Sequence, residues 1–315
     1  MDYVLGIDGG GTSTICLLAD GGGRIVAQTE APASNHRKAD LRVARESITA
    51  GVRAVLEALG VERSRAPRVA AVCAGLAGVD TKEDEAVLSR MLSEIVCTDH
   101  LRVVNDGEIA LYGALEDNLG VLVISGTGSI VWATTADGRR LRVGGWDYIL
   151  SDEGSGYSIG LRVLRAVAAA HDGRLQPTCL TGEVFRVFDA ADFYELLGLI
   201  YHEEMRPQRI ASLASLADRA AAAGDAVASM VIEDAAKELA QLALSAVCLA
   251  ELSEIPFPIV PAGGALRAGG AFAQCFRESM MSLVPSARIT EPRHSPAEGA
   301  VLLALRDLAR HERVN

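Results

Sequence analysis

The sequence predicts an α/β protein made of two similar domains, and three observations carry that expectation. The chain has 315 residues, more than one hydrophobic core usually serves, which favours two domains of roughly 100 to 200 residues each. Short β-rich runs alternate with helical patterns through the first half. A strand, glycine-rich turn and strand occur together twice, around Gly9, Gly10 and Gly11 and again around Gly126 and Gly128.

The elements follow in order. Tyr3 to Ile7, Thr14 to Ala19 and Arg24 to Thr29 read as strands, with glycines at 21 to 23 marking a hairpin turn. From Asp40 to Leu59 the apolar positions Leu41, Ala44, Ile48, Val52, Val55 and Leu59 recur at helical spacing, and Gly60 is placed to end that helix. A strand is expected at Val69 to Cys73, then a helix from an N-cap at Thr81 to about Ser93. Leu101 to Val104 reads as a strand that delivers Asn105 and Asp106 at its carboxyl end, ahead of a helix over Gly107 to Leu115. Val121 to Ile124, Ser129 to Thr134 and Arg139 to Val143 repeat the opening strand logic, with Asp137-Gly138 as the second hairpin turn. Helices are then expected over Ile159 to Ala170, Gln208 to Ala223 and Ala226 to Leu252, the last two parted by Gly224-Asp225. Phe257 to Val260 returns to strand, Gly263-Gly264 to turn, and Pro296 to Ala309 forms a closing helix.

Composition narrows the function classes. A formal net charge of −11 leaves no broad basic footprint for nucleic acid or an anionic membrane. The apolar start is broken by Asp8 and glycines, too short for a signal peptide, and no run approaches the ~18 apolar residues of a membrane span; the cytoplasm is the expected location. Cys16, Cys73, Cys97, Cys179, Cys248 and Cys275 show neither a C-x-x-C pair nor Cys/His ligand spacing, so free buried thiols are expected. Arg37, Lys38, Arg42 and Arg45 read as a solvated helix face.

The two glycine turns carry the chemistry. Gly6-Ile7-Asp8-Gly9-Gly10-Gly11-Thr12 sits between two predicted strands, so its backbone N–H groups can form an anion-binding nest, with the Asp8 carboxylate beside it suited to hydrated magnesium. An ordinary hairpin with Asp8 as a turn residue is the plain alternative. No G-x-x-x-x-G-K-[ST] is present, and the loop leads into a strand instead of a helix. The second loop, Ser125-Gly126-Thr127-Gly128-Ser129, lies in the same context. Facing each other across a cleft, the two would supply donors to a polyphosphate from both sides.

In this order the sequence resembles the actin, Hsp70 and hexokinase superfamily, and more closely the N-acetylglucosamine kinase and BadF/BadG/BcrA/BcrD ATPase family. The matching pieces are GIDGGGTST at 6 to 14, SNH at 34 to 36, NDGEIAL at 105 to 111, ISGTGS at 124 to 129, GGWDYILSDEGSGYSIG at 144 to 160, PAGGALRAGG at 261 to 270 and SPAEGAVLLAL at 295 to 305. The resemblance implies two ribonuclease-H-like, actin-like ATPase domains around a central cleft. Their expected extents are 1–116 with the closing helix at about 296–315, and 117–295 with a helical insert. It implies ATP and Mg2+, with Gly10, Gly11 and Thr12 as the first phosphate loop, Gly126, Thr127 and Gly128 as the second, Gly263 and Gly264 at the adenosine, and Asp8 organising magnesium. It places the sugar against Asn35, Asp106, Gly145, Trp146 and Asp152. A homodimer is the expected assembly.

Phosphoryl transfer to a sugar hydroxyl asks for a carboxylate that orients the alcohol and takes its proton. Asp106, after a predicted strand and between the two phosphate loops, fits that task and matches the family's catalytic Asp; helix capping is its plain alternative. Asp152 is assigned to sugar hydroxyl or amide binding and Glu153 to structural support, with capping of the following helix as the alternative for both. Trp146, in a Gly-rich loop, suits a sugar face or pocket wall, whereas His36 reads first as a hydrogen-bonded structural residue.

The expected reaction is transfer from ATP to N-acetylglucosamine, giving the 6-phosphate, with glucosamine or N-acetylmuramic acid as alternative acceptors. A second class, an ATP-driven activator of a radical dehydratase, would need cluster cysteines, and these six form no ligand run. A sugar-sensing regulator would need a DNA-reading module ahead of the first strand, and Asn35 and Asp106 argue against an actin-like filament protein.

Overall fold

The computed structural model describes residues 3–37, 40–58, 69–201, 207–267 and 269–312. The chain divides into two compact units, Met1–Asn118 with Pro292–Asn315, and Leu119–Glu291.

In the first unit the strands are β1 (Tyr3–Gly9), β2 (Ser13–Asp20), β3 (Ile25–Pro32), β4 (Ala71–Leu76) and β5 (His100–Asn105), and the helices are α1 (Leu41–Glu57), α2 (Lys82–Ile95), α3 (Asp106–Leu115) and α13 (Pro296–Glu312). The sheet order is β3-β2-β1-β4-β5. β1, β2 and β3 form an antiparallel meander, then β4 and β5 join in parallel through helical crossovers. The meander's second turn, between β2 and β3, closes with Gly23 N–H donating to Asp20 O at 2.8 Å. Each face of the sheet buries an apolar layer. Leu5, Ile7, Ile48, Val52, Leu88 and Leu92 pack on one side, and Val4, Ala71, Ile109, Ala300, Val301 and Leu303 on the other. The alternation of Val4 and Leu5 between layers is the period of two that a two-faced strand imposes.

The second unit repeats the topology. Its strands are β6 (Gly120–Ser125), β7 (Ser129–Thr134), β8 (Arg140–Gly144), β9 (Phe257–Ala262) and β10 (Ala287–Ile289), in the order β10-β9-β6-β7-β8. β6, β7 and β8 are antiparallel, and β9 and β10 are added in parallel. Its helices are α4 (Asp147–Leu150), α5 (Gly156–His171), α6 (Leu180–Phe188), α7 (Phe193–Ile200), α8 (Pro207–Ala211), α9 (Leu213–Ala222), α10 (Ala226–Leu249), α11 (Gly264–Arg267) and α12 (Ala271–Leu283). The alanines of α10 at 235, 236, 240, 243 and 246 are fully buried, because small side chains let this helix lie close to α5, α9 and α12.

Several boundaries differ from the sequence reading. The strand expected at Val69 to Cys73 runs instead over Ala71–Leu76, drawn onward by its parallel register with β1 from Val4↔Ala71 to Gly9↔Leu76. The helix expected over Gln208 to Ala223 is two helices parted at Ser212, whose hydroxyl turns back to donate to Arg209 O. The helix end expected at Leu59 and Gly60 lies outside the described residues, as does Lys38. The thiols are not uniformly buried: Cys16 and Cys73 are, whereas Cys97, Cys179 and Cys248 are exposed and Cys275 is intermediate. Cys97 and Cys179 sit just outside helix ends, and Cys248 lies near the end of α10. Arg37, Arg42 and Arg45 are ion-paired with Asp84, Glu46 and Glu94. Among the described residues no helix is long and apolar enough to cross a membrane.

Candidate active site

In the first unit the site grows from the carboxyl ends of β1 and β5. Asp8 is the penultimate residue of β1, and the chain then turns through Gly10, Gly11 and Thr12, where Gly10 N–H donates to Ser13 O at 2.9 Å. Burial first, and then the neighbouring charge of Asp106, raise the Asp8 carboxyl to about 7. Both acids are therefore held together at one end of this sheet. Asp106 is the first residue of α3. Asn105, not Asp106, caps that helix: its Oδ1 accepts Gly107 N–H at 2.9 Å, while its Nδ2 donates to Val79 O at 3.1 Å. Asp106 Oδ1 also accepts Gly107 N–H, at 3.0 Å. A negative charge in the first turn is favourable to the helix dipole.

Asn35 is 9% exposed and is tied to the same glycine turn. Ser34 N–H donates to Gly10 O at 3.1 Å, and the Ser34 hydroxyl shares a buried hydrogen bond with the Thr14 hydroxyl at 2.8 Å. Asn35 Oδ1 accepts Arg37 N–H at 3.0 Å. His36 Nε2 stands 3.4 Å from Asp84 Oδ1. Sequence reasoning overlooked both Thr14 and Asp84; the second could have been found, since Thr81 and Asp84 have capping-box spacing.

In the second unit Ser125 to Ser129 joins β6 to β7, and Gly126 N–H donates to Gly128 O at 2.9 Å. Thr127 and Gly128 are exposed. The segment ahead of α5 clamps this turn from beneath. Ser129 N–H donates to Asp152 Oδ1 at 2.9 Å, Ser129 Oγ to Glu153 O at 2.8 Å and Ser125 Oγ to Gly154 O at 2.7 Å. At the start of α5, Gly156 N–H donates to Gly126 O at 2.8 Å and Tyr157 N–H to Thr127 O at 3.2 Å. Asp152 is only 6% exposed and holds a φ of +80°, a left-handed conformation that a non-glycine residue adopts at a cost. Ser155, not Asp152 or Glu153, caps α5, and Glu153 Oε2 accepts the Ser151 hydroxyl at 2.8 Å.

Gly263 and Gly264 follow β9. A Cβ on Gly263 would stand 2.2 Å from Ser125 O, and its φ is +86°, so glycine alone fits this turn against the second glycine loop. Gly145 and Trp146 lie between β8 and α4. Trp146 is 58% exposed and is not core; the Arg142 guanidinium lies 4.6 Å from its ring centroid and donates to Gly144 O and Gly145 O. No sequence pattern singled out Arg142.

Chemically, the first unit brings hard carboxylate oxygens to the end of a glycine turn, and the second carries a clamped hairpin whose Thr127 and Gly128 are exposed. Among the described residues no three His, Cys, Asp or Glu converge as a metal cage. Carboxylate oxygens are hard ligands of the kind that a divalent cation such as magnesium takes.

Comparison with known proteins gives the family. The model of the BadF/BadG/BcrA/BcrD ATPase family matches residues 5–304. The chain is 30% identical over 304 residues to an N-acetylmuramic acid/N-acetylglucosamine kinase of Clostridium acetobutylicum, covering 96% of this chain and 98% of that one. It is 31% identical over 312 residues to an N-acetyl-D-glucosamine kinase of Dictyostelium discoideum, with the same coverage of 96% and 98%. A crystal structure from Chromobacterium violaceum, designated a candidate N-acetylglucosamine kinase, superposes with a TM-score of 0.78 at 26% identity, covering 96% of this chain and 99% of that one. With two mixed five-stranded sheets and a family match across almost its whole length, the chain belongs to the BadF/BadG/BcrA/BcrD ATPase family.

Proposed function

We propose that the protein is an ATP-dependent amino-sugar kinase that transfers a phosphoryl group to the 6-hydroxyl of N-acetylglucosamine. The observation that carries this reading is the Asp8 and Asp106 pair, held close enough for one charge to raise the other's pKa beside the glycine turn. The acceptors named for the relatives support an amino sugar over glucose. Glucosamine and N-acetylmuramic acid remain the alternative acceptors.

In this reading Gly10, Gly11 and Thr12, together with Gly126, Thr127 and Gly128, donate backbone and hydroxyl hydrogens to the nucleotide phosphates, and Gly263 and Gly264 take the adenosine. Asn35, Gly145, Trp146 and Asp152 orient the sugar, Trp146 through its open ring face. Asp106 hydrogen-bonds the acceptor hydroxyl, fixes its attack line and accepts its proton as the new P–O bond forms and the bond from the γ-phosphorus to the β,γ-bridging oxygen breaks, releasing ADP. Asp8 would hold Mg2+, which when bound neutralises charge on the transferring phosphate. The protein acts in the cytoplasm as a homodimer.

One assay tests the reading: ATP consumption by the purified chain with N-acetylglucosamine, N-acetylmuramic acid, glucosamine and glucose. N-acetylglucosamine should show the highest kcat/KM. A chain that consumes ATP equally with and without each sugar is not the proposed kinase.

A further inference from the structure

Beyond the residues expected to touch ligand, we propose that Asp84, at the start of α2, is a positioning residue that sets the acceptor-sugar affinity through the turn carrying Asn35; this rests on the reading of Asn35 as a sugar ligand. A capping box needs only that the acid at the third helical position accept the backbone N–H of the cap residue. Asp84 meets that need, since its Oδ2 accepts Thr81 N–H at 2.9 Å and Asp84 N–H donates to Thr81 Oγ1 at 3.1 Å. The same carboxylate does more. Oδ2 also accepts Arg37 Nη2 at 2.6 Å, and Oδ1 faces His36 Nε2 at 3.4 Å. Asp84 thus grips two consecutive residues 47 and 48 positions earlier in the chain, directly after Asn35.

The turn between them has little slack. On one side Ser34 is bonded to Gly10 O and to Thr14. On the other it lies over Gly78, where a Cβ would meet His36 Cε1 at 3.1 Å, Asn35 Oδ1 at 3.2 Å and Arg37 Cγ at 3.3 Å. Within it, Arg37 N–H donates to Asn35 Oδ1, which ties the amide to Arg37. Moving Arg37 therefore rotates or releases the Asn35 amide. The Asp84 and His36 side chains are 17% and 13% exposed and Arg37 is half-exposed; a single exposed ion pair would add little, whereas this carboxylate ties two residues of one turn to the helix cap at once. Among the described residues His36 Nδ1 is buried with no hydrogen-bond partner, and the ring meets Asp84 and packs over Gly78.

The test uses the full-length protein and steady-state kinetics with N-acetylglucosamine and MgATP. Asp84→Asn keeps the shape of the cap but removes the nearer of the two charges that hold Arg37, the other being Asp80 at 3.4 Å. It should raise the sugar KM about fivefold to tenfold, the scale of a lost coupling of one to one and a half kcal/mol, with kcat and the ATP KM changed less than about twofold. Arg37→Met breaks the same contact from the half-exposed side, where folding is not at risk, and should shift the sugar KM in the same direction. The double variant should be no worse than Asp84→Asn alone. Thr81→Ala, which weakens the helix cap, should lower Tm and leave the sugar KM in place. An unchanged sugar KM in both Asp84→Asn and Arg37→Met, with a large rise in Asn35→Ala, overturns the positioning role and leaves the sugar site intact. An unchanged sugar KM in Asn35→Ala removes the sugar reading of Asn35, and this inference with it.

Discussion

Replacing Asp8 by Asn should make the magnesium-free protein more stable while making it a poorer catalyst. A carboxyl whose folded-state pKa is raised keeps a proton that the unfolded chain would release, so folding is penalised as pH rises from about 4 to about 7 and the penalty is complete above that. The move from the ordinary 3.8 to about 7, at about 1.36 kcal/mol per pH unit, sets a ceiling of about 4 kcal/mol. Asp8 keeps some contact with water, which screens the burial penalty and the repulsion by Asp106, so about 1–2 kcal/mol is the working figure. For a protein of this size that is a gain of a few degrees in Tm. Differential scanning calorimetry in EDTA should show Asp8→Asn melting above the wild type at pH 8, with the gap narrowing by pH 5. Magnesium added at pH 8 should raise the wild-type Tm and leave the variant unmoved. An Asp8→Asn protein that melts at or below the wild type at pH 8, or a gap that does not change with pH, would refute the argument that this carboxylate is held at a cost to folding.

Asp106→Asn keeps size and much of the hydrogen bonding but cannot accept the hydroxyl proton; turnover should drop on the order of a hundredfold or more, with sugar affinity little changed, and near-normal turnover would remove Asp106 from the mechanism. Gly263→Ala places a methyl group 2.2 Å from Ser125 O at a φ of +86°, so thermal melts should show a loss on the order of 1–3 kcal/mol and ATP binding should weaken by calorimetric titration; an unaltered ATP affinity would detach this turn from the nucleotide.

The legibility of the fold follows from how local its causes are. β1 and β2 could be read because apolar residues flank a run of glycines, and α2 because Thr81 stands where a helix must satisfy its first N–H groups. No element was read between Gly264 and Pro296, where α12 and β10 lie, and the break at Ser212 was invisible because a serine inside an apolar period marks no boundary until its hydroxyl finds Arg209 O. Asp106 could be singled out by its place after a strand, yet its plain alternative as a cap was settled only when Asn105 proved to hold Gly107 N–H.

By itself the sequence determined the two-module α/β pattern, the paired glycine turns and the acids beside them, because backbone preference and hydrophobic period act over a few residues. Only the tertiary structure decided that burial and then the neighbouring Asp106 raise the Asp8 carboxyl, that Asp152 accepts Ser129 N–H, and that Asp84 reaches His36 and Arg37. Those contacts join residues distant in the chain, and a carboxylate's pKa and partners depend on what packing brings within a few ångströms, which no local pattern encodes.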